Sequence, residues 1–245
     1  MSYPTVLHGE ECMRDGMQIE DRTIPVADKI RLLDALSDTG LKQIAVGSFA
    51  SPKWTPQMAE VESIITGFHP KPGVRYTAAA FNERGRERAR AFMPPLSEPN
   101  RTPATTINMC DVFAQRNYNR TQARELKGLA SVIRKASQQG EQEAGIGLLS
   151  AFGSNWIGDF TDEQHLRLLD LQYLRWTDAG IRVTKVSIAD PMSWNMPHRV
   201  ERLLESIKTR ARASIATLYP PSENLREMAA PVPGPTPVIT ATGAF

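Results

Sequence analysis

Residues Lys42–Met58, KQIAVGSFASPKWTPQM, divide into two parts of different character. The first six, KQIAVG, form a short apolar run of the kind buried strands use; a parallel strand covered on both faces need not alternate polar and apolar residues. The rest, SFASPKWTPQM, is polar and interrupted by Pro52 and Pro56, which is loop composition.

The same strand-then-loop unit recurs on either side. Apolar runs at Val74–Phe81, Pro103–Met109, Ala144–Ser150 and Val183–Ala189 suit strands, with a weaker candidate at Thr5–Glu11. Helical stripes lie between them. Val26, Ile30, Leu33 and Leu36 share one face, and Gly40 is a natural stop. Leu126, Leu129 and Ile133 follow Thr121 in the same way, with Gly140 beyond. Thr161 and Gln164 have capping-box spacing, ahead of Leu166, Leu169, Tyr173 and Trp176. A further helix follows Pro197, with Val200, Leu203, Leu204 and Ile207 inward. Alternating strands and helices make either an open doubly wound sheet or a closed barrel. No glycine-rich dinucleotide or P-loop fingerprint is present, which weakens the nucleotide-binding versions of the open sheet.

Composition narrows the partners. The 245 residues include 29 basic and 27 acidic side chains, a net charge of +2, which gives no reason to expect nucleic acid or a membrane as partner. Residues 1–11 lack a basic region and an apolar core, so a secretory leader is not expected. Cys12 and Cys110 cannot build a disulfide framework and read as reduced thiols of a cytoplasmic protein.

Two loops carry candidate chemistry. In EECMRDGMQ, residues 10–18, an Arg beside an Asp follows the first strand. There a carboxylate can hold a divalent metal and a guanidinium can stabilise an oxyanion. Taken alone, the tripeptide favours the simpler reading, a structural salt bridge beside a tight glycine turn. In the 48–58 loop, Ser48 or Lys53 can meet a substrate carboxylate or thioester, or Trp54 can act as a hydrophobic plug.

Taken together, RDGMQ-x-E and SFASPKW-x-PQM, about thirty residues apart, resemble 3-hydroxy-3-methylglutaryl-CoA lyase and its relatives among the metal-dependent Claisen-type lyases, the pyruvate carboxyltransferase domain barrels. The likeness continues through Asn82-Glu83-Arg84-Gly85, Phe113–Asn117 and Ser187–Pro191, and covers about Thr5 to Lys208. It implies an α/β fold of the (β/α)8 TIM-barrel type with about six βα units present, residues 1–208, followed by an irregular proline-rich tail, residues 209–245. It implies retro-Claisen cleavage of a 3-hydroxyacyl-CoA with Mg2+ or Mn2+, and self-association into a homo-oligomer. Arg14 matches the arginine that stabilises the enolate, and Asp15 matches a metal ligand. Gln18 and Ser48 are implied near the substrate, Glu10 on the first strand beneath the site, and Asp190 at its mouth.

Three departures accompany the resemblance. Ala45 stands where the family carries a glutamate. The family's His-x-His metal pair has no counterpart, since the four histidines are His8, His69, His165 and His198. The late glycine-rich loop with its reactive cysteine is also missing. One matched carboxylate does not make a tight divalent site. The expectation is therefore a truncated or frame-shifted lyase-type chain, with a catalytically inactive remnant or an assembly partner of a complete barrel as the alternative. No strand–helix unit is expected from Arg210 to Phe245, and the first and sixth strands are expected to have open edges.

Overall fold

Each apolar run named above becomes a parallel strand, and each striped segment a helix laid against it. The computed structural model describes residues 6–53, 55–80, 83–98, 102–218 and 238–243, with side chains as far as Arg210. Trp54, Phe81 and Asn82 lie outside the described residues. The chain forms two compact bodies, residues 1–101 and 102–245.

The N-terminal body runs β1 (Gly9–Glu10), α1 (Val26–Ser37), β2 (Gln43–Ser48), α2 (Val61–Gly67), β3 (Arg75–Ala79) and α3 (Glu83–Arg90). Its three strands are parallel in the order β1-β2-β3. Leu33, Ile44, Val46, Phe68 and Tyr76 are buried in one cluster. Phe68 meets Tyr76 edge-on, with ring centroids 4.8 Å apart. Within β2 the register shifts between Ala45 and Ser48. Gly47 makes that bend, with φ +152°, where a Cβ would lie 2.8 Å from Val61 Cγ2. Lys29, on the face the apolar stripe marks as inward, is also buried; its Nζ donates to the Gln57 carbonyl at 3.3 Å and lies 3.6 Å from Glu60. The lysine ties the loop after β2 to α1.

The C-terminal body runs β4 (Ala104–Asn108), α4 (Asp111–Tyr118), α5 (Gln122–Gln138), β5 (Glu143–Leu149), α6 (Asp162–Asp178), β6 (Arg182–Asp190), α7 (Pro197–Leu218) and β7 (Val238–Gly243). The four strands are parallel in the order β4-β5-β6-β7. Thr161 and Gln164 form the reciprocal capping box that starts α6. Trp176 of α6 is fully buried, and its Nε1 donates to Thr105 Oγ1 of β4 at 2.9 Å. Ile107, Ile146, Leu148, Leu169 and Leu203 fill the cluster around it.

Two expectations are corrected. The first strand is shorter than Thr5–Glu11, because only Gly9 and Glu10 pair with β2. The segment after Arg210 is not wholly irregular: α7 continues to Leu218, and Val238–Gly243 pairs in parallel with Lys185–Asp190. VITAT, residues 238–242, has the β-branched composition of a strand. The prolines at 231, 233, 235 and 237 precede that strand and do not interrupt it. The edge of β6 expected to be open is covered.

Candidate active site

In the N-terminal body the site-bearing segment is a series of tight turns beginning where β1 ends. Glu10 anchors it by accepting the Cys12 N–H at 2.6 Å. Backbone N–H groups of Arg14 and Asp15 then close onto the Glu11 carbonyl at 2.9 and 2.7 Å. This brings three charged side chains together. Arg14 donates through Nε to Glu11 at 2.5 Å and through Nη1 to Asp15 at 3.3 Å. All three are partly exposed, so the guanidinium is held by carboxylates yet open to a ligand. Neither contact uses Nη2.

Cys12 lies in the same turn. Burial, with the Glu10 and Glu20 carboxylates adding to it, pushes its thiol above the ordinary range. It is therefore poorly suited to serve as a thiolate nucleophile.

The other two expected residues of this body have structural partners. The Gln18 carbonyl accepts from Gln57 Nε2 at 2.9 Å, which pins the first loop to the second. Ser48 is fully buried; its hydroxyl donates to the Ala79 carbonyl at 3.4 Å and accepts from the Ala50 N–H at 3.1 Å. The serine and Gln57 therefore shape the loop pair around Arg14.

In the C-terminal body Asp190 ends β6 and is buried. One carboxylate oxygen accepts from the Asn195 backbone and side-chain amides at 2.7 and 2.5 Å. The other, Oδ1, is buried with no hydrogen-bond partner among the described residues. Two neighbours share that condition. Asn108, at the end of β4, donates to Glu125 at 2.8 Å but leaves its Oδ1 unpartnered. Ser150, just past β5, leaves its Oγ unpartnered and adopts φ +53°, rare for a residue with a Cβ. The pairing of Asn108 with Leu149, and of the Ala151 N–H with the Ala189 carbonyl, puts these residues at the ends of three adjacent strands. Each unpartnered buried polar atom costs about 1–3 kcal/mol. Polar groups at the C-terminal ends of barrel strands are where this fold places its chemistry. Sequence reasoning did not single out Asn108 or Ser150. The available signal was a polar residue at or next to the end of an apolar run.

His165 is a further polar group of this body that the sequence does not mark. It occupies the first turn of α6, is buried, and bonds through Nε2 to the Ala151 carbonyl, with Nδ1 unpartnered. Burial lowers its pKa below the ordinary imidazole value, more than the Ala151 carbonyl and Asp162 restore. His69 lies elsewhere, exposed and bonded to Asp34 at 2.9 Å.

A divalent metal does not fit the residues present. Asp15 shares an oxygen with Arg14, and no three His, Cys, Asp or Glu side chains among the described residues gather to hold an ion. Ala45, buried in β2, has no donor to add.

No family model matches the chain. Individual relatives do. A 3-hydroxy-3-isohexenylglutaryl-CoA/hydroxymethylglutaryl-CoA lyase of Pseudomonas aeruginosa is 33% identical over 197 residues, 79% of this chain and 60% of that protein. A hydroxymethylglutaryl-CoA lyase of Bacillus subtilis is 29% identical over 220 residues, 89% of this chain and 69% of its own length. The crystal structure of the hydroxymethylglutaryl-CoA lyase from Pseudomonas aeruginosa superimposes with a TM-score of 0.58 at 32% identity, over 83% of this chain and 63% of that one. The chain thus spans about three fifths of the length of the Pseudomonas enzyme. The fold is α/β of the TIM-barrel type, with six βα units among the described residues. With the Arg14–Asp15 and Ser48–Met58 loops both in place, the chain is similar to the hydroxymethylglutaryl-CoA lyases in sequence and in fold.

Proposed function

We propose that the chain acts as a carbon–carbon lyase on a 3-hydroxyacyl-CoA. The observation that carries this reading is Arg14, fixed by Glu11 and Asp15 with Nη2 used by neither contact. In a retro-Claisen cleavage a base removes the proton of the 3-hydroxyl. The alkoxide collapses to the ketone of a keto acid, the C2–C3 bond breaks, and its electron pair passes to the thioester as an enolate. Protonation at carbon then releases the acyl-CoA. A fixed guanidinium beside the thioester oxygen stabilises that enolate without reorganising.

A second reading rests on Ala45 and on the lack of a gathered ligand set: the chain retains the fold and binds acyl-CoA without turning it over. One assay separates the two. The full chain is incubated with 3-hydroxy-3-methylglutaryl-CoA, with and without Mn2+, and acyl-CoA and keto acid are measured. Lyase activity predicts both products in equal amounts, and their loss in Arg14→Ala. Binding of the thioester with neither product formed supports the second reading.

The chain's two cysteines are free and no helix among the described residues is long and apolar enough to cross a membrane. The free cysteines support a reducing compartment such as the cytoplasm as its place of work.

A further inference from the structure

Arg14 is fixed to its own turn, and the turn in its place depends on one side chain from elsewhere. Residues 12–20 bond mostly to one another: the Met17 N–H donates to the Cys12 carbonyl at 2.8 Å, Gln18 to Asp15 at 3.2 Å and Glu20 to Met17 at 3.3 Å. Both partners of Arg14, Glu11 and Asp15, belong to the same turn. Beyond Glu10, where the chain leaves β1, the hydrogen bonds from residues 12–20 to the rest of the body come, among the described residues, from Gln57. Its Nε2 donates to the Gln18 carbonyl at 2.9 Å and to the Glu20 carbonyl at 3.3 Å, which employs both amide protons. Apolar packing does not duplicate this tether. The turn enters the core through Met13 and Met17, and the second loop through Met58. Unbranched thioether side chains adapt to one another and hold depth better than position. Two directional bonds from one amide fix position.

Gln57 is held in turn from beneath. Its own carbonyl accepts from Lys29 Nζ at 3.3 Å. The other partner of that ammonium, Glu60 at 3.6 Å, lies three residues further along the same segment. Lys29 is 1% exposed and stands on the inward stripe of α1 with Val26, Ile30 and Leu33. A buried ammonium is costly, and an apolar side chain of similar length would fill the same space at less cost. Both groups that the ammonium meets sit on the segment that carries Gln57. The charge therefore serves to hold that segment, which packing alone would not require.

We propose that Gln57 is a positioning residue for Arg14, and that Lys29 acts behind it by fixing the Gln57 backbone. This assignment rests on the lyase reading above and adds to it the chain of contacts, from α1 through the second loop to the first, that sets where the guanidinium stands. An oxyanion donor is effective only close to hydrogen-bonding distance. A displacement of about 1 Å costs about 100-fold in rate. Neither Gln57 nor Lys29 meets the substrate; each acts through Arg14.

The test compares full-length wild type, Gln57→Leu and Lys29→Met for cleavage of 3-hydroxy-3-methylglutaryl-CoA, with amide hydrogen exchange and thermal melts on the same samples. Leucine keeps most of the bulk of Gln57 and removes both donors. Gln57→Leu is expected to lower kcat by about 10- to 100-fold and to leave KM within about twofold, the pattern of a contact made only in the transition state. Amides of residues 12–20 should exchange about tenfold faster than in wild type, while those of β2 and β3 exchange as before. Lys29→Met is expected to lower kcat by about tenfold and yet to melt no lower than wild type, because methionine fills the site without a buried charge. Wild-type kcat in Gln57→Leu overturns the proposal while the lyase reading stands, and so does unchanged exchange in residues 12–20. A fall in kcat that comes with faster exchange throughout the body and a lower melting temperature assigns Gln57 to stability alone and overturns the proposal as well. Lys29→Met with wild-type kcat, or with a melt well below wild type, removes the lysine from the scheme. Wild type that forms no product overturns the lyase reading, and the positioning role with it.

Discussion

Arg14 is gripped from two sides, and that determines how its replacements should differ. Lysine keeps a charge that Glu11 can pair with, but it has no fork to reach Asp15 and a thioester oxygen at once. Both Arg14→Lys and Arg14→Ala should therefore lower product formation by about 100-fold or more, the scale of losing one oxyanion donor. Near-wild-type turnover in Arg14→Lys would reduce the residue to a surface ion pair. His165 makes a different prediction. Its buried imidazole is held below 6.5, mainly by desolvation, with Arg199 and Arg202 adding to the effect. The folded state thus prefers the neutral ring. Stability is fully present above pH 6.5 and is lost as the pH falls from there toward the folded pKa, because the unfolded chain takes up a proton that the folded chain does not. His165→Gln retains a donor for the Ala151 carbonyl but does not titrate. Its melting temperature should fall less than wild type's between pH 7.5 and 5.5, as read by circular dichroism at matched ionic strength. Parallel pH profiles for the two proteins would exclude His165 as the source.

Among the elements, α6 bears most on how the C-terminal body holds together. Its capping box and apolar stripe were legible in the sequence because both depend on local spacing. The bond from Trp176 to Thr105, 71 residues away, depends on how β4 and α6 meet, which no local spacing encodes. Trp176→Phe removes that bond and leaves a small void, at a cost of about 1–3 kcal/mol; Trp176→Ala should cost about 3–5 kcal/mol. Urea unfolding followed by circular dichroism checks both values. The strand ends show the same division. Arg14 and Asp15 stood out as a motif of adjacent residues. Asn108 and Ser150 became visible only when three strands came into register and left their oxygens buried without partners. Lys29 was missed for a related reason. It lies on the inward face, but its charge argues against burial until Gln57 and Glu60 are placed over it.

For the whole molecule, the determining feature is how each sheet ends. In the C-terminal body the outer position beside β6 is taken by Val238–Gly243, in register from Lys185 to Asp190. Reading the prolines at 231–237 as the end of order hid this strand, because proline interrupts a strand only from within. The pairing gives residues 238–243 a mechanical role. A variant ending at Leu218 would leave the N–H and C=O groups of β6 without a neighbour along six residues, and such an edge recruits strands from other chains. The variant should therefore elute earlier than the full chain on size exclusion at equal concentration, scatter more light, and melt at lower temperature. Replacing Ile239 and Thr240 separately by proline refines the test. Successive residues of a strand direct their N–H groups to opposite sides, so one of the two prolines removes a ladder bond to β6 and the other removes an N–H facing away from it. The two variants should differ in unfolding free energy by about the net value of one backbone hydrogen bond, roughly 0.5–1.5 kcal/mol, with the less stable one melting at the lower temperature. A truncated chain as monodisperse and as stable as the full one would show that β6 does not depend on this neighbour.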